Sequence, residues 1–343
     1  MTVSGAWAAG EHVAMGRGGE FDAIRAMLAR WGALAEGIGD DAAVLVPPSD
    51  GRLVVSTDAT VEGVHFRSGW LSAEEIGARA TAAALSDVAA MGAEARWVLV
   101  ALEVPAAWRE ALPALADGIG RLVADANARI IGGNITRGER LALTLTVIGS
   151  AAHPVMRSGA RVGDSLWVTG RLGGPRRAIA AFEAGTEPLA EDRARFASPV
   201  PRLREGAWLA AIGARAMLDI SDGLATDAGH LAAASGVRCA LWADAIPRVA
   251  GATLEDALAS GEEYELLVAT DADLDVEGFV RRYGVPLTRV GRVLPAEVPV
   301  EPEADVEAQA RAEAPLVLLE RYEDGATKSV HVDLPPGYDH FPS

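Results

Sequence analysis

The stretch Ala73 to Ala93, AEEIGARATAAALSDVAAMGA, constrains the fold more than any other. Its alanines favour a helix. Ser72 with Glu75 three residues on forms a capping box at its start, and Gly92 closes it. A helix this rich in small side chains is expected to pack closely on its neighbours. The rest of the chain repeats that character: half of the 343 residues are hydrophobic, only 5% are aromatic, and there are 37 glycines. This is the composition of an ordinary globular chain, not a disordered one.

Around that helix, segments of strand and helix character alternate. GEFDAIRAMLARW has helical apolar spacing; GIGDDAAVLVPP reads as a turn running into a short strand; RLVVSTDATVEGVHF is β-rich. WVLVALEVP, RIIGGNITRG and LALTLTVIGSA read as strands, and LPALADGIGRLVADAN as a helix. AAHPVMRSGARVGD, rich in Gly, Pro and basic residues, is the expected domain junction. SLWVTG, AMLDISDGLATDAGHLAAASG and EYELLVAT then resume the pattern, and LVLLERYEDGATKSVHVDL reads as a hairpin with its turn at Glu323 to Lys328. The class is α/β with two domains, residues 19–150 and 151–343. Residues 1–18 are expected to be a loose, flexible tail or an overextended start, with Met15 as the alternative beginning to Met1.

Charge narrows the partners. The formal net charge is −17, spread along the chain, which argues against nucleic acid and against an anionic membrane surface. No apolar run reaches the roughly 18 residues of a membrane helix, and the opening MTVSGAWAAGEHVA is a poor signal peptide. Cys239 is the only cysteine, so neither a disulfide framework nor a cysteine zinc site is expected, and a reducing, cytoplasmic compartment is the default. Lys328 is the only lysine, and no Gly-Lys-Ser/Thr phosphate loop exists. Nucleotide chemistry here must rest on metal ions or arginine.

Three apolar runs present small polar residues at their ends: LVVSTD, RIIGGN and MLDISD. Taken singly, Asp40, Asp41 and Asp58 have ordinary explanations as turn or cap residues, and Ser221 or Asp222 can cap the helix that follows MLDISD. Asp87 is harder to explain this way, because nearly all its neighbours are apolar and a buried lone carboxylate is costly. His65 reads as an ordinary strand histidine, Arg157 as a solvated charge or a phosphate clamp, and Glu262 with Glu263 as a surface turn. If the carboxylates converge, a pair about 4 Å apart repels by roughly 4 kcal/mol at an effective dielectric near 20. Cations must then be present, and oxygen ligands of the Asp, Ser and Thr type select hard ions such as Mg²⁺ bridging phosphates.

In order along the chain, GEFDAI, GIGDDAAVL, VVSTDATVEGVHF, ALSDVAAMGA, IIGGNITRG, RSGARVGD, LDISDGLATDAGHL, SGEEYEL and GYDHF resemble the thiamine-monophosphate kinases, from about Gly19 to Phe341. The resemblance implies the two-domain α/β fold of the aminoimidazole-ribonucleotide-synthetase-like superfamily, with an N-terminal domain that binds ATP and Mg²⁺ and forms a homodimer through its sheet. By position it implies Asp41, Ser56, Thr57, Asp58, Asp87, Asn134, Asp219 and Asp222 as ligands of several magnesium ions, with Asp40 beside them. Gly133, Arg157 and Ser221 would touch ATP; His65, Glu262 and Tyr338 would face thiamine monophosphate. The acceptor is then a phosphate ester with a second pKa of about 6, so no general base is needed; positioning and charge neutralisation carry the phosphoryl transfer. Two departures stand out. The family motif GGD is GGN here, so Asn134 offers a neutral amide, and Glu263 replaces the usual Asp before Tyr264. Asn134 leaves two alternatives open: a related ATP-using enzyme with another small acceptor, or a paralogue that binds nucleotide without turnover.

Overall fold

The computed structural model describes residue 12 and residues 19–36, 38, 43, 45–49, 51–296, 316–323 and 326–330. Asp40, Asp41, Tyr338, Met1 and Met15 lie outside the described residues. The chain forms two compact units, Met1–Pro154 with Ala184–Ala207, and Val155–Glu183 with Trp208–Ser343. No described helix is long and apolar enough to cross a membrane.

The first unit contains α1 (Gly19–Trp31), β1 (Arg52–Val61), α2 (Ala73–Ala90), β2 (Glu94–Val104), α3 (Leu112–Asp125), β3 (Arg129–Arg137) and β4 (Ala142–Ala151). Among the described residues its sheet runs β1-β4-β2-β3, with β2 and β3 parallel and the other neighbours antiparallel. The capping box at Ser72 and Glu75 is formed. The small side chains act as expected: a Cβ on Gly118 would lie 1.9 Å from the Glu74 carbonyl oxygen, and one on Gly77 would lie 2.2 Å from that of Leu115. Glycine thus lets α2 and α3 touch backbone to backbone while Ile76, Leu85, Leu115 and Ile119 fill the core beneath. α5 (Ala190–Ala197) belongs to this unit although it follows β5 (Ser165–Thr169) and α4 (Gly174–Glu183) of the second. It is fastened to α2 by Arg193, whose guanidinium donates to both Glu75 carboxylate oxygens at 2.6 and 3.1 Å. The buried Arg79 adds a bond to the Phe196 carbonyl at 2.7 Å and lies over the Phe196 ring.

After α6 (Leu203–Ala211), the second unit continues with β6 (Ala216–Asp219), α7 (Leu224–Ser235), β7 (Val237–Trp242), α8 (Leu254–Ala259), β8 (Leu266–Thr270), α9 (Val276–Tyr283), β9 (Leu287–Pro295), β10 (Val317–Glu323) and β11 (Ala326–Val330). Its sheet runs β11-β10-β7-β9-β5-β8-β6, with α7 packed on β7 over a core that includes Leu218, Leu231 and Leu241.

Several local expectations are corrected. Residues 43 and 45–48 form no strand; Pro47 and Pro48 remove the donors a ladder would need. RIIGGN does not stop at its glycines, since β3 runs on to Arg137, and Asp58 does not end a strand, since β1 runs on to Val61. Only MLDISD stops where its pattern suggests, at Asp219. The last hairpin is tighter than read: Glu323 pairs with Ala326 and Arg321 with Lys328, so strand residues occupy the expected turn.

Candidate functional site

In the first unit, the alternation of β1 sorts the triplet Ser56, Thr57, Asp58. Val54, Ser56, Asp58 and Thr60 share the more buried face, and the Ser56 hydroxyl donates to the Asp87 carboxylate on α2. Asp87 is half-buried, so helix packing brings this carboxylate to β1. Asp58 accepts at 2.8 Å from the Ala59 N–H. Thr57 points the other way, its hydroxyl 3.0 Å from that of Thr146 on β4. His65 is not a strand residue: it sits in a turn beyond β1, where its Nδ1 accepts from the Val61 N–H at 3.1 Å.

Gly133 and Asn134 lie on β3, at the opposite edge of the sheet. Three ladder steps of about 4.8 Å, roughly 14 Å in all, separate β1 from β3. A bulge sets their phase, because Val98 pairs with Ile130 and Leu99 with Gly132, leaving Ile131 extra. Asn134, exposed, consequently pairs with Ala101 in the row of Thr144 and Ala59. That row alternates onto the same face as Thr57, away from Ser56 and Asp58. Gly133 is required by proximity, since a Cβ there would lie 1.9 Å from the Val100 carbonyl oxygen.

In the second unit, β6 delivers the buried Asp219, and Ser221 and Asp222 form the bend before α7. Neither caps the helix. The N-cap is Gly223, with no side-chain cap bond, and the capping is done from inside the helix: one carboxylate oxygen of Asp227 accepts from the N–H groups of Ser221, Asp222 and Gly223, each at 3.1 Å. Burial first, and then the charge of Asp219, push Asp227 up to about 8, against the lowering effect of the backbone donors. Ligand atoms of Asp222, Asp227 and His230 lie within 4.8 Å of one another. Sequence reasoning missed Asp227, yet a signal was present: it lies on the apolar stripe of Leu224, Ala228 and Leu231, as Asp87 lies among alanines.

Glu262 joins this turn through its N–H, which donates to the Ser221 carbonyl at 2.7 Å, while Tyr264 N–H donates to that of Ile220 at 2.9 Å. Both residues adopt left-handed backbone, φ 62° and 53°. The Tyr264 hydroxyl donates to Glu262 at 3.1 Å. Glu263, expected at a surface turn, is instead buried, accepting from the Gly173 N–H at 2.5 Å; the left-handed residues on either side turn it inward. Arg157 is exposed, and its carbonyl accepts from the hydroxyl of Ser235 at the C-terminal end of α7.

The chain matches the N-terminal domain of AIR synthase related protein over residues 39–151 and its C-terminal domain over residues 161–300. The two units and their sheets are therefore those of an AIR synthase related protein. A thiamine-monophosphate kinase of Mycobacterium tuberculosis is 38% identical over 283 residues, 78% of this chain and 82% of the relative. The crystal structure of thiamine-monophosphate kinase from Stenotrophomonas maltophilia K279a superposes with a TM-score of 0.73 at 34% identity, covering 79% of this chain and 94% of that one. AaThiL complexed with AMPPCP and TMP gives 0.69 at 28% identity, covering 86% and 89%. The chain belongs to the thiamine-monophosphate kinase family.

Proposed function

We propose that this enzyme transfers the terminal phosphoryl group of ATP to thiamine monophosphate, by direct in-line displacement, giving thiamine diphosphate and ADP. The observation that carries the reading is the likeness to a thiamine-monophosphate kinase at 38% identity over 82% of its length, joined by the solved relative that holds AMPPCP and TMP. Arginine is the only abundant cation in the chain, which agrees with catalysis by bound metal.

The residues fit magnesium. Ser56, Thr57, Asp58, Asp87 and Asn134 of the first unit, and Asp219 and Asp222 of the second, offer oxygen donors and no thiolate. Around the second unit's turn, Asp227 is raised first by its burial and then by the charge of Asp219. Asp41 belongs to the same proposed set. Magnesium held there supplies neutralisation of the charge that donor and acceptor phosphates bring together. The chain's own residues orient: the Ser56 hydroxyl holds the Asp87 carboxylate, and Asp227 holds the turn that carries Ser221 and Asp222. Gly133, Ser221 and Arg157 are proposed to meet the nucleotide; Glu262, Tyr338 and His65 are proposed to meet thiamine monophosphate. Because Nδ1 of His65 accepts from the Val61 N–H, a neutral imidazole there carries its proton on Nε2. The acceptor phosphate is already ionised, so no side chain need take a proton.

The open face of the first sheet carries Val55 and Leu53, 61% and 45% exposed, and the row of Val55 continues through Ile148 of β4 to Trp97 of β2. An apolar sheet face of this kind calls for a cover, and we assign it to a second copy of the chain. That arrangement also lets a β1 edge and a β3 edge of different copies meet, which roughly 14 Å within one chain prevents.

The deciding experiment follows thiamine diphosphate formed from ATP and thiamine monophosphate across a magnesium series, with Asn134→Asp alongside. Wild type is expected to turn over, and the variant to reach half-maximal rate at several-fold lower magnesium, because a carboxylate replaces a neutral amide. Product from the variant alone would make the natural chain a nucleotide-binding paralogue, and product from neither would remove thiamine monophosphate as acceptor.

A further inference from the structure

The segment from Ser260 to Leu266 is held from two directions. Its backbone is fixed to the β6–α7 turn, where the N–H groups of Glu262 and Tyr264 donate to the carbonyls of Ser221 and Ile220. Its side chains reach the start of α4, 90 residues earlier in the chain. A helix start leaves its first N–H groups without partners; at α4 these belong to Gly173, Gly174 and Arg176, because Pro175 has no N–H. Glu263 Oε1 accepts from the Gly173 N–H at 2.5 Å, and the Ser260 hydroxyl accepts from the Arg176 N–H at 3.2 Å. Glu265 ties the same loop once more, accepting from the Thr169 hydroxyl at 2.7 Å, while the Thr169 oxygen accepts from the Leu266 N–H at 2.8 Å. Ser260, Glu263 and Glu265 are all buried.

Gly173 cannot carry a cap of its own: its φ is 103°, and a Cβ there would lie 2.9 Å from that of Ala252. The acceptor must come from elsewhere, and the positive end of the α4 dipole favours a carboxylate. A cap delivered from so far along the chain also sets a position. The left-handed backbone at Glu262 and Tyr264 sends Glu263 inward and leaves Glu262 half-buried. Glu263 therefore fixes the middle of the turn on the side that the bonds to Ser221 and Ile220 do not hold. Without its acceptor the turn keeps those two bonds and loses its reference to α4, and the neighbouring Glu262 carboxylate is free to shift.

We infer that Glu263 is a positioning residue for thiamine monophosphate: its carboxylate, seated on the start of α4, fixes Glu262, which meets the substrate in the reading given above, on which this inference rests. Glu263→Met fills the same space without an oxygen acceptor, and Glu263→Gln keeps one. Thiamine monophosphate is titrated calorimetrically into the full chain with AMPPCP and Mg²⁺ saturating. Glu263→Met is expected to weaken binding about fivefold or more, and Glu263→Gln to return it to within about twofold of wild type. The affinity for AMPPCP alone is expected to change less than about twofold in either. A merely structural loss would lower the fraction of competent protein and leave the affinity for thiamine monophosphate unchanged. Action through Glu262 has its own signature: adding Glu263→Met to Glu262→Ala weakens binding no further, so the two effects do not add. In wild type, which needs no variant to fold, thiamine monophosphate is expected to slow hydrogen exchange at the Gly173 amide together with those of Glu262 and Tyr264. The inference is overturned by an unchanged affinity in Glu263→Met, by failure of Glu263→Gln to restore it, by additive effects at 262 and 263, or by exchange at Gly173 that ignores the substrate. Those outcomes leave the kinase reading standing, whereas a wild type that does not bind thiamine monophosphate overturns both.

Discussion

At Glu262 and Tyr264 the backbone is left-handed without being glycine, a conformation that costs on the order of 1–2 kcal/mol per residue. Bonds to Ser221 and Ile220 hold it in place, and the gain is a carboxylate fixed by the Tyr264 hydroxyl beside the β6–α7 turn. Replacing Glu262→Gly removes both strain and carboxylate. Chemical denaturation is expected to show the variant more stable by about 0.5–1 kcal/mol, while KM for thiamine monophosphate rises at least tenfold with KM for ATP little changed. A fall in stability would show that no strain is stored there, and an unchanged KM would remove Glu262 from the substrate site. Individual carboxylates differed in how plainly they could be read. Asp87 stood out because a charge amid alanines demands a partner, which Ser56 provides. Asp227 obeyed the same logic in a helix whose polar start offered easier explanations.

The turn between β6 and α7 shows how an element can be organised from a residue beyond it. Asp227, four positions into α7, gathers three successive N–H groups, so Asp227→Ala is expected to lower stability by about 1–3 kcal/mol. Its pH signature has a definite sign. The folded value of about 8 stands above the ordinary 3.8, so between them the folded chain keeps a proton that the unfolded chain has released. The contribution is fully present below the unfolded value and is lost as pH rises through the folded one. Melting temperature of metal-free protein is therefore expected to decline between about pH 5 and 8, and Asp227→Asn, still able to accept through its amide oxygen, should flatten the decline. An identical slope in the variant would assign the effect to other groups. The α2 helix was legible down to its capping box, because Ser72, Glu75 and Gly92 act within one turn. The ends of β1 and β3 were not, since glycine or aspartate in a run is tolerated once neighbouring strands supply a ladder. The bulge at Ile131 is likewise a property of the pair and not of the strand.

For the whole molecule, the exposed apolar face of the first sheet carries the prediction. Val55→Glu puts a charge on the proposed dimer surface. Sedimentation is expected to find wild type dimeric and the variant monomeric, with a large loss of turnover; a monomeric wild type, or a variant still dimeric, would move the interface elsewhere. The return of Ala184–Ala207 to the first unit belongs to the same scale. Nothing local announces it, because it rests on Arg193 finding Glu75 and Arg79 finding Phe196 more than a hundred residues away. The α/β class, most of the helices and strands and the family were legible in the sequence, because propensity, capping and motif order act over short stretches of chain. Only the tertiary structure decided which face of β1 each residue of Ser56, Thr57 and Asp58 occupies, that Asn134 stands on the far edge of the sheet, and that Asp227 builds the turn. Those outcomes depend on ladder register and on contacts between segments distant in sequence, where the position of one strand sets the direction of every side chain on its neighbour.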